Sequence, residues 1–154
     1  MLQARCSWLK SGSSETSMPL RVYVAAPIRG DRRALNSVRA LVSMLRELGH
    51  EVLTEHVAQG SSESASSEEV YRRNIRLLSE CDLVVAEVSY PSHGVGFEVC
   101  KALSMGKKVI AVVESSRKAF LSAMIAGAPG IQVLEYSSIE ELWAKLIEAL
   151  AYLK

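Results

Sequence analysis

The chain has 154 residues, 23% of them charged and 49% hydrophobic, and a formal net charge of +1 at pH 7. That length supports one domain with a sizeable core, and the balanced charge argues against nucleic acid or a membrane surface as partner. No apolar run reaches bilayer-spanning length, and three scattered cysteines, Cys6, Cys81 and Cys100, form neither a disulfide nor a metal framework, so no metal is expected and a reducing, cytoplasmic setting is.

Residues 1–18 read as an N-terminal extension or a cloning remnant, with Met18 as an alternative start. Ser11–Ser17 has linker composition, and Met1–Lys10 lacks the apolar core and cleavage site of a secretory leader. The folded domain is expected over 19–154. Leu20–Ala26 reads as a first strand and Pro27–Gly30 as a turn. Leu35, Val38, Leu41, Val42, Leu45 and Leu48 then fall at helical spacing, ended by Gly49. His50–Leu53 is a short second strand. Residues 58–67 are rich in Ser, Gly and Glu, either a lid or a plain solvated loop.

A helix follows from Ser67 to Glu80, with Val70, Asn74, Leu77 and Leu78 on one face; Asn74 is its polar member and is expected to point inward. Leu83–Val88 reads as a uniformly apolar central strand, and a helical pattern runs from Phe97 to Met105. Both Cys81 and Cys100 sit in apolar contexts and read as buried. Lys108–Val113 is the fourth strand, Phe120–Ala126 a short helix and Ile131–Tyr136 the fifth strand. Ser137 or Ser138 caps a last helix through Leu153, with Glu140 and Glu141 in its first turn. Strands alternating with helices predict a single-domain α/β fold, a doubly wound five-stranded parallel sheet of flavodoxin-like order 2-1-3-4-5. Its ligand site belongs at the switch between strands 1 and 3, beside Tyr23–Gly30 and Ser89–Glu98.

The stretch from Ser89 to Glu98 carries the chemistry. A Ser/Pro/Gly loop leads into a helix start, where free backbone N–H groups favour an anion such as phosphate. Gly94 and Gly96 admit close backbone approach, and Glu98 is expected in the first helical turn beside the same mouth, a position that the helix dipole alone also favours. Arg29 is either an anion partner or a solvated loop charge. Ser92 suits a phosphate oxygen or a plain turn. His56 and His93 lie in mouth loops as possible donors, and Ser122 lies in an apolar turn suited to facing another subunit.

Five blocks, Tyr23–Gly30, Leu53–Val57, Asp82–Ser89, Pro91–Glu98 and Leu121–Ile125, together resemble the 2'-deoxynucleoside 5'-phosphate N-hydrolases of the nucleoside 2-deoxyribosyltransferase superfamily. The resemblance implies hydrolysis of the N-glycosidic bond of (deoxy)nucleoside 5'-monophosphates to free base and (2-deoxy)ribose 5-phosphate through a covalent glycosyl-Glu98, with no cofactor. It implies that Tyr23 lies beside sugar and nucleophile, and that Ile28, Arg29 and Gly30 contact the nucleotide. Ser92, with Gly94 and Gly96, binds phosphate by the same inference. Ser122, with Met124 in the same block, is supplied by the partner of a homodimer. Two positions depart from the family pattern. Asn74 replaces the usual Asp, the second carboxylate of retaining glycosidase logic, and cannot transfer a proton as an acid does. The auxiliary acid is then Glu55, His56 or His93, or activity is weakened. Pro27 replaces a phosphate-binding Ser and lacks both hydroxyl and N–H. The alternatives are a nucleoside 2-deoxyribosyltransferase and a catalytically impaired nucleotide-binding protein.

Overall fold

The computed structural model describes residues 18–28, 32–59 and 64–153. The expectations for residues 1–17, for Arg29 and Gly30, and for the middle of the 58–67 loop lie outside the described residues. The elements run β1 (Arg21–Ala25), α1 (Leu35–Glu47), β2 (Glu51–Val52), α2 (Ser67–Glu80), β3 (Leu83–Glu87), α3 (His93–Ser104), β4 (Lys108–Glu114), α4 (Ala123–Ala126), β5 (Ile131–Tyr136) and α5 (Ile139–Ala151), with 3-10 turns at Glu55–Ala58 and Ser115–Phe120.

The five strands form one parallel sheet in the order β2-β1-β3-β4-β5, as the alternation of elements predicts. The period of two along each strand divides the core between the two faces. Val22, Val24, Leu83, Val85, Ile110 and Val112 pack against α1 and α5. Tyr23, Ala25, Val84, Ala86, Val109 and Ala111 pack against α2 and α3. Parity therefore places Tyr23 on the face covered by α3, the helix that carries Glu98. Gly49 and Gly106 follow α1 and α3 with φ of 85° and 71°, left-handed turns that a side chain would strain.

Several expectations need correction. The second strand is two residues long, not four. Thr54 leaves the ladder, and its buried hydroxyl accepts from the Val24 N–H and donates to the Val24 carbonyl, each at 2.8 Å, in place of further strand pairing. α3 begins at His93 rather than Phe97, because Ser92 caps it and Gly94 and Gly96 adopt helical backbone despite their poor propensity. The segment 120–126 is no continuous helix. A 3-10 turn ends at Phe120, and α4 occupies only Ala123–Ala126. Ser138, not Ser137, caps α5, accepting from the Glu141 N–H at 3.1 Å. Cys100 is exposed while Cys81 is buried. Finally, β3 is not uniformly apolar: Glu87 is fully buried within it.

Candidate active site

The C-terminal mouth of β1 and β3 brings Tyr23, Asn74 and Glu98 together from three elements. The Tyr23 hydroxyl donates to Glu98 Oε1 at 2.7 Å. The Asn74 Nδ2 donates to the same oxygen at 3.0 Å. Two donors thus converge on one oxygen of the Glu98 carboxylate and restrain it. Burial pushes the Glu98 carboxyl above its ordinary range, and the bonds from Tyr23 and Asn74, with the Arg73 charge, pull it back toward the ionised form. Burial first, and the neighbouring carboxylate second, hold Tyr23 far above the usual phenol range, so it remains a donor at any physiological pH.

α2 delivers Asn74 because a capping box fixes its start. Ser66 accepts from the Glu69 N–H at 3.2 Å, and the Glu69 carboxylate accepts from the Ser66 N–H at 2.8 Å. One turn before Asn74, the Tyr71 ring meets the Phe97 ring of α3 at 6.2 Å between centroids. That contact joins the two helices next to the residues that touch.

Ser92 is half-buried, and its Oγ receives the Val95 N–H at 3.4 Å. Glu98 thus sits in the second turn of α3, not the first. The Gly96 N–H donates to the Ser92 carbonyl at 3.1 Å and is not available to a ligand. The donors left at this helix start are the N–H groups of His93 and Gly94. At Gly94 an added Cβ would lie 3.8 Å from Ser92 Oγ. Ser92 and Ser122 share the wall of an apolar groove of about 440 Å³ with His93, Phe120 and Met124. Ser122 precedes α4 and is exposed, and Met124 is 82% exposed. Ile28 packs partly against the α1 side of the core.

The proposed auxiliary acids are not among the described partners of Glu98. Glu55 is exposed and lies 3.4 Å from Arg46 Nε. His56 is half-buried in the 3-10 turn, and His93 is exposed at the start of α3. Sequence reasoning missed Arg73, whose Nε and one terminal nitrogen each donate to Asn74 Oδ1 at 3.2 Å. It also missed Tyr90, whose ring carries the guanidinium groups of Arg33 at 4.3 Å and Arg117 at 4.8 Å. Those cations place positive charge two residues from Ser92. Among the described residues no cluster of three metal-ligating side chains occurs, and no helix is long and apolar enough to cross a membrane.

A family model described as nucleoside 2-deoxyribosyltransferase matches residues 22–141. The chain belongs to that family. A Thermofilum pendens protein named for 2'-deoxynucleoside 5'-phosphate N-hydrolase activity is 46% identical over 132 residues, 82% of this chain and 92% of its own length. A Mus musculus 5-hydroxymethyl-dUMP N-hydrolase is 36% identical over 132 residues, 80% of this chain and 76% of its own. Among solved structures, a CMP N-glycosidase of Clostridium botulinum superposes with a TM-score of 0.66 at 24% identity, covering 84% of this chain and 98% of that one. The family member described here thus shares the architecture on which such relatives are built.

Proposed function

We propose that this chain is an N-glycosidase that hydrolyses (2'-deoxy)nucleoside 5'-monophosphates to free base and (2-deoxy)ribose 5-phosphate. The observation that carries this reading is the Glu98 carboxylate, half-buried and held through Oε1 by Tyr23 and Asn74. A Glu98 carboxylate oxygen attacks the anomeric carbon as the carbon–nitrogen bond breaks, and the base leaves with the bonding pair and takes up a proton from solvent. Water then attacks the same carbon, gives up a proton to solvent, releases the sugar phosphate and restores the carboxylate. The names of the hydrolase relatives support the reaction class. The start of α3, with Ser92 and the His93 and Gly94 N–H groups, suits the 5'-phosphate, supplemented by the cations on Tyr90. Arg29, Gly30 and Ile28 complete the nucleotide contacts in this reading.

The exposed Phe120 and Met124 around the groove support a homodimer in which Ser122 reaches the partner's phosphate. The free Cys81 and Cys100 fit a cytoplasmic setting.

Released base is measured by chromatography after incubation with deoxynucleoside and ribonucleoside monophosphates, and with unphosphorylated deoxynucleosides plus a second base. Release from monophosphates is expected, and Glu98→Ala lowers it by roughly 10³-fold or more. Base exchange on unphosphorylated nucleosides alone would instead establish the transferase, which the family description keeps in view. Absence of release from every monophosphate overturns the hydrolase. For the dimer, mixing Glu98→Ala with Ser122→Trp chains should restore activity that neither has alone, because one mixed site then carries both native residues.

A further inference from the structure

Arg73 gives the Asn74–Glu98 contact its direction. A side-chain amide has one accepting and one donating end, and a guanidinium only donates. With Arg73 donating twice to Oδ1 at 3.2 Å, the Nδ2 end faces Glu98 Oε1 at 3.0 Å. Turning the amide over would set NH2 against guanidinium donors and oxygen against a carboxylate, two repulsions in place of three hydrogen bonds. Resting on the function proposed above, we propose that Arg73 is a positioning residue. Through Asn74 it holds Glu98 in its nucleophilic form, and this arrangement works with an amide but not with a carboxylate at position 74.

The second half follows from the same geometry. A carboxylate at position 74 would meet Arg73 on one side and Glu98 on the other. The cation would keep that carboxylate charged and thereby deny it the role of proton donor. Two carboxylates about 3 Å apart would then compete for one proton, and Glu98 would lose its amide donor. Restoring the family's Asp without removing the cation therefore harms the site. Among the described residues, the groups that act on Glu98 from the elements packed around α3 are Tyr23 from β1, Asn74 from α2 and the Arg73 charge from α2.

The test reads the Glu98 side-chain carboxyl by carbon-13 NMR titration in glutamate-labelled protein, assigned by difference with Glu98→Gln. This readout needs no turnover, so it judges the inference even where the hydrolase reading fails. In Arg73→Met the Glu98 pKa should rise by roughly one unit, while Arg73→Lys, which keeps the charge, should show less than half that rise. With a turning-over substrate, Arg73→Met should move the acid limb of kcat/KM upward by the same amount and lower kcat about 10-fold with KM within about 3-fold. Asn74→Asp should lower kcat, and the double variant Arg73→Gln with Asn74→Asp should exceed Asn74→Asp alone. Far-UV circular dichroism at the assay temperature confirms that each variant is folded. An unmoved Glu98 titration in folded Arg73→Met overturns the positioning role. Activity that rises in Asn74→Asp with Arg73 present overturns the incompatibility.

Discussion

Tyr23 donates to a carboxylate oxygen that already receives an amide, and the value of each donor can be read separately. Replacing Tyr23 by Phe keeps the ring that packs under α2 and α3 and deletes one charge-assisted hydrogen bond. Such a bond to a charged group contributes roughly 1.5–3 kcal/mol, so kcat/KM in Tyr23→Phe should fall about 10-fold or more. Glu98 must be ionised to attack, so activity is lost as pH falls through its pKa. Loss of a donor raises that pKa, and the acid limb of the pH profile should shift upward. Glu98 was legible in the chain as a carboxylate beside a Gly-bearing helix start and Asn74 as a polar break in an apolar face, whereas Tyr23, in the middle of β1, was singled out by the family resemblance. Arg73 was not legible. Neighbouring residues on a helix ordinarily do not face each other, and only the length of the arginine side chain lets it fold back onto residue 74.

At the scale of elements, α2 is the part whose start is fixed by chemistry independent of the site. Ser66→Ala removes one side of the capping box and should cost about 1 kcal/mol, read as a fall of a few degrees in Tm by circular dichroism. Asn74 lies two turns farther along, so KM should hardly change. The elements themselves were legible through periodicity and caps. α2 runs from Ser67 to Glu80 as its apolar face predicts. The start of α3 was misread for a definable reason: two glycines outweigh one serine in local propensity, yet the Ser92 cap and the packing of Val95 and Val99 against the sheet decide the backbone. The two-residue β2 was equally hidden, since nothing local reveals that Thr54 substitutes its hydroxyl for a ladder bond.

For the whole molecule, the sheet order was legible because alternating strands and helices admit few topologies. What that order buries was less so. Glu87 lies at the end of β3 on the side of α1 and α5, away from Glu98, with the Ser89 hydroxyl donating to Oε1 and no described partner for Oε2. Burial raises its carboxyl to about 7. The folded state therefore holds this proton across a range where the unfolded chain has released it. Stability from this group is present below the unfolded value of 4.5 and is lost as pH rises from there to about 7. The whole effect is at most on the order of 3 kcal/mol. Glu87→Gln imitates the protonated form, so its Tm should match the parent below pH 5, exceed it above pH 7 and vary less between.

The way the sheet is threaded also sets when the site comes into being. The Asn74–Glu98 contact spans 24 residues and lies within the single unit α2-β3-α3, whereas Tyr23 reaches Glu98 across 75 residues. Closing the longer loop costs about 1 kcal/mol more in chain entropy than closing the shorter. It also requires β1 to slot between β2 and β3. Loop-closure entropy thus favours the amide reaching the nucleophile before the phenol, and a chain competent in chemistry is one in which β1 is already in place beside β3.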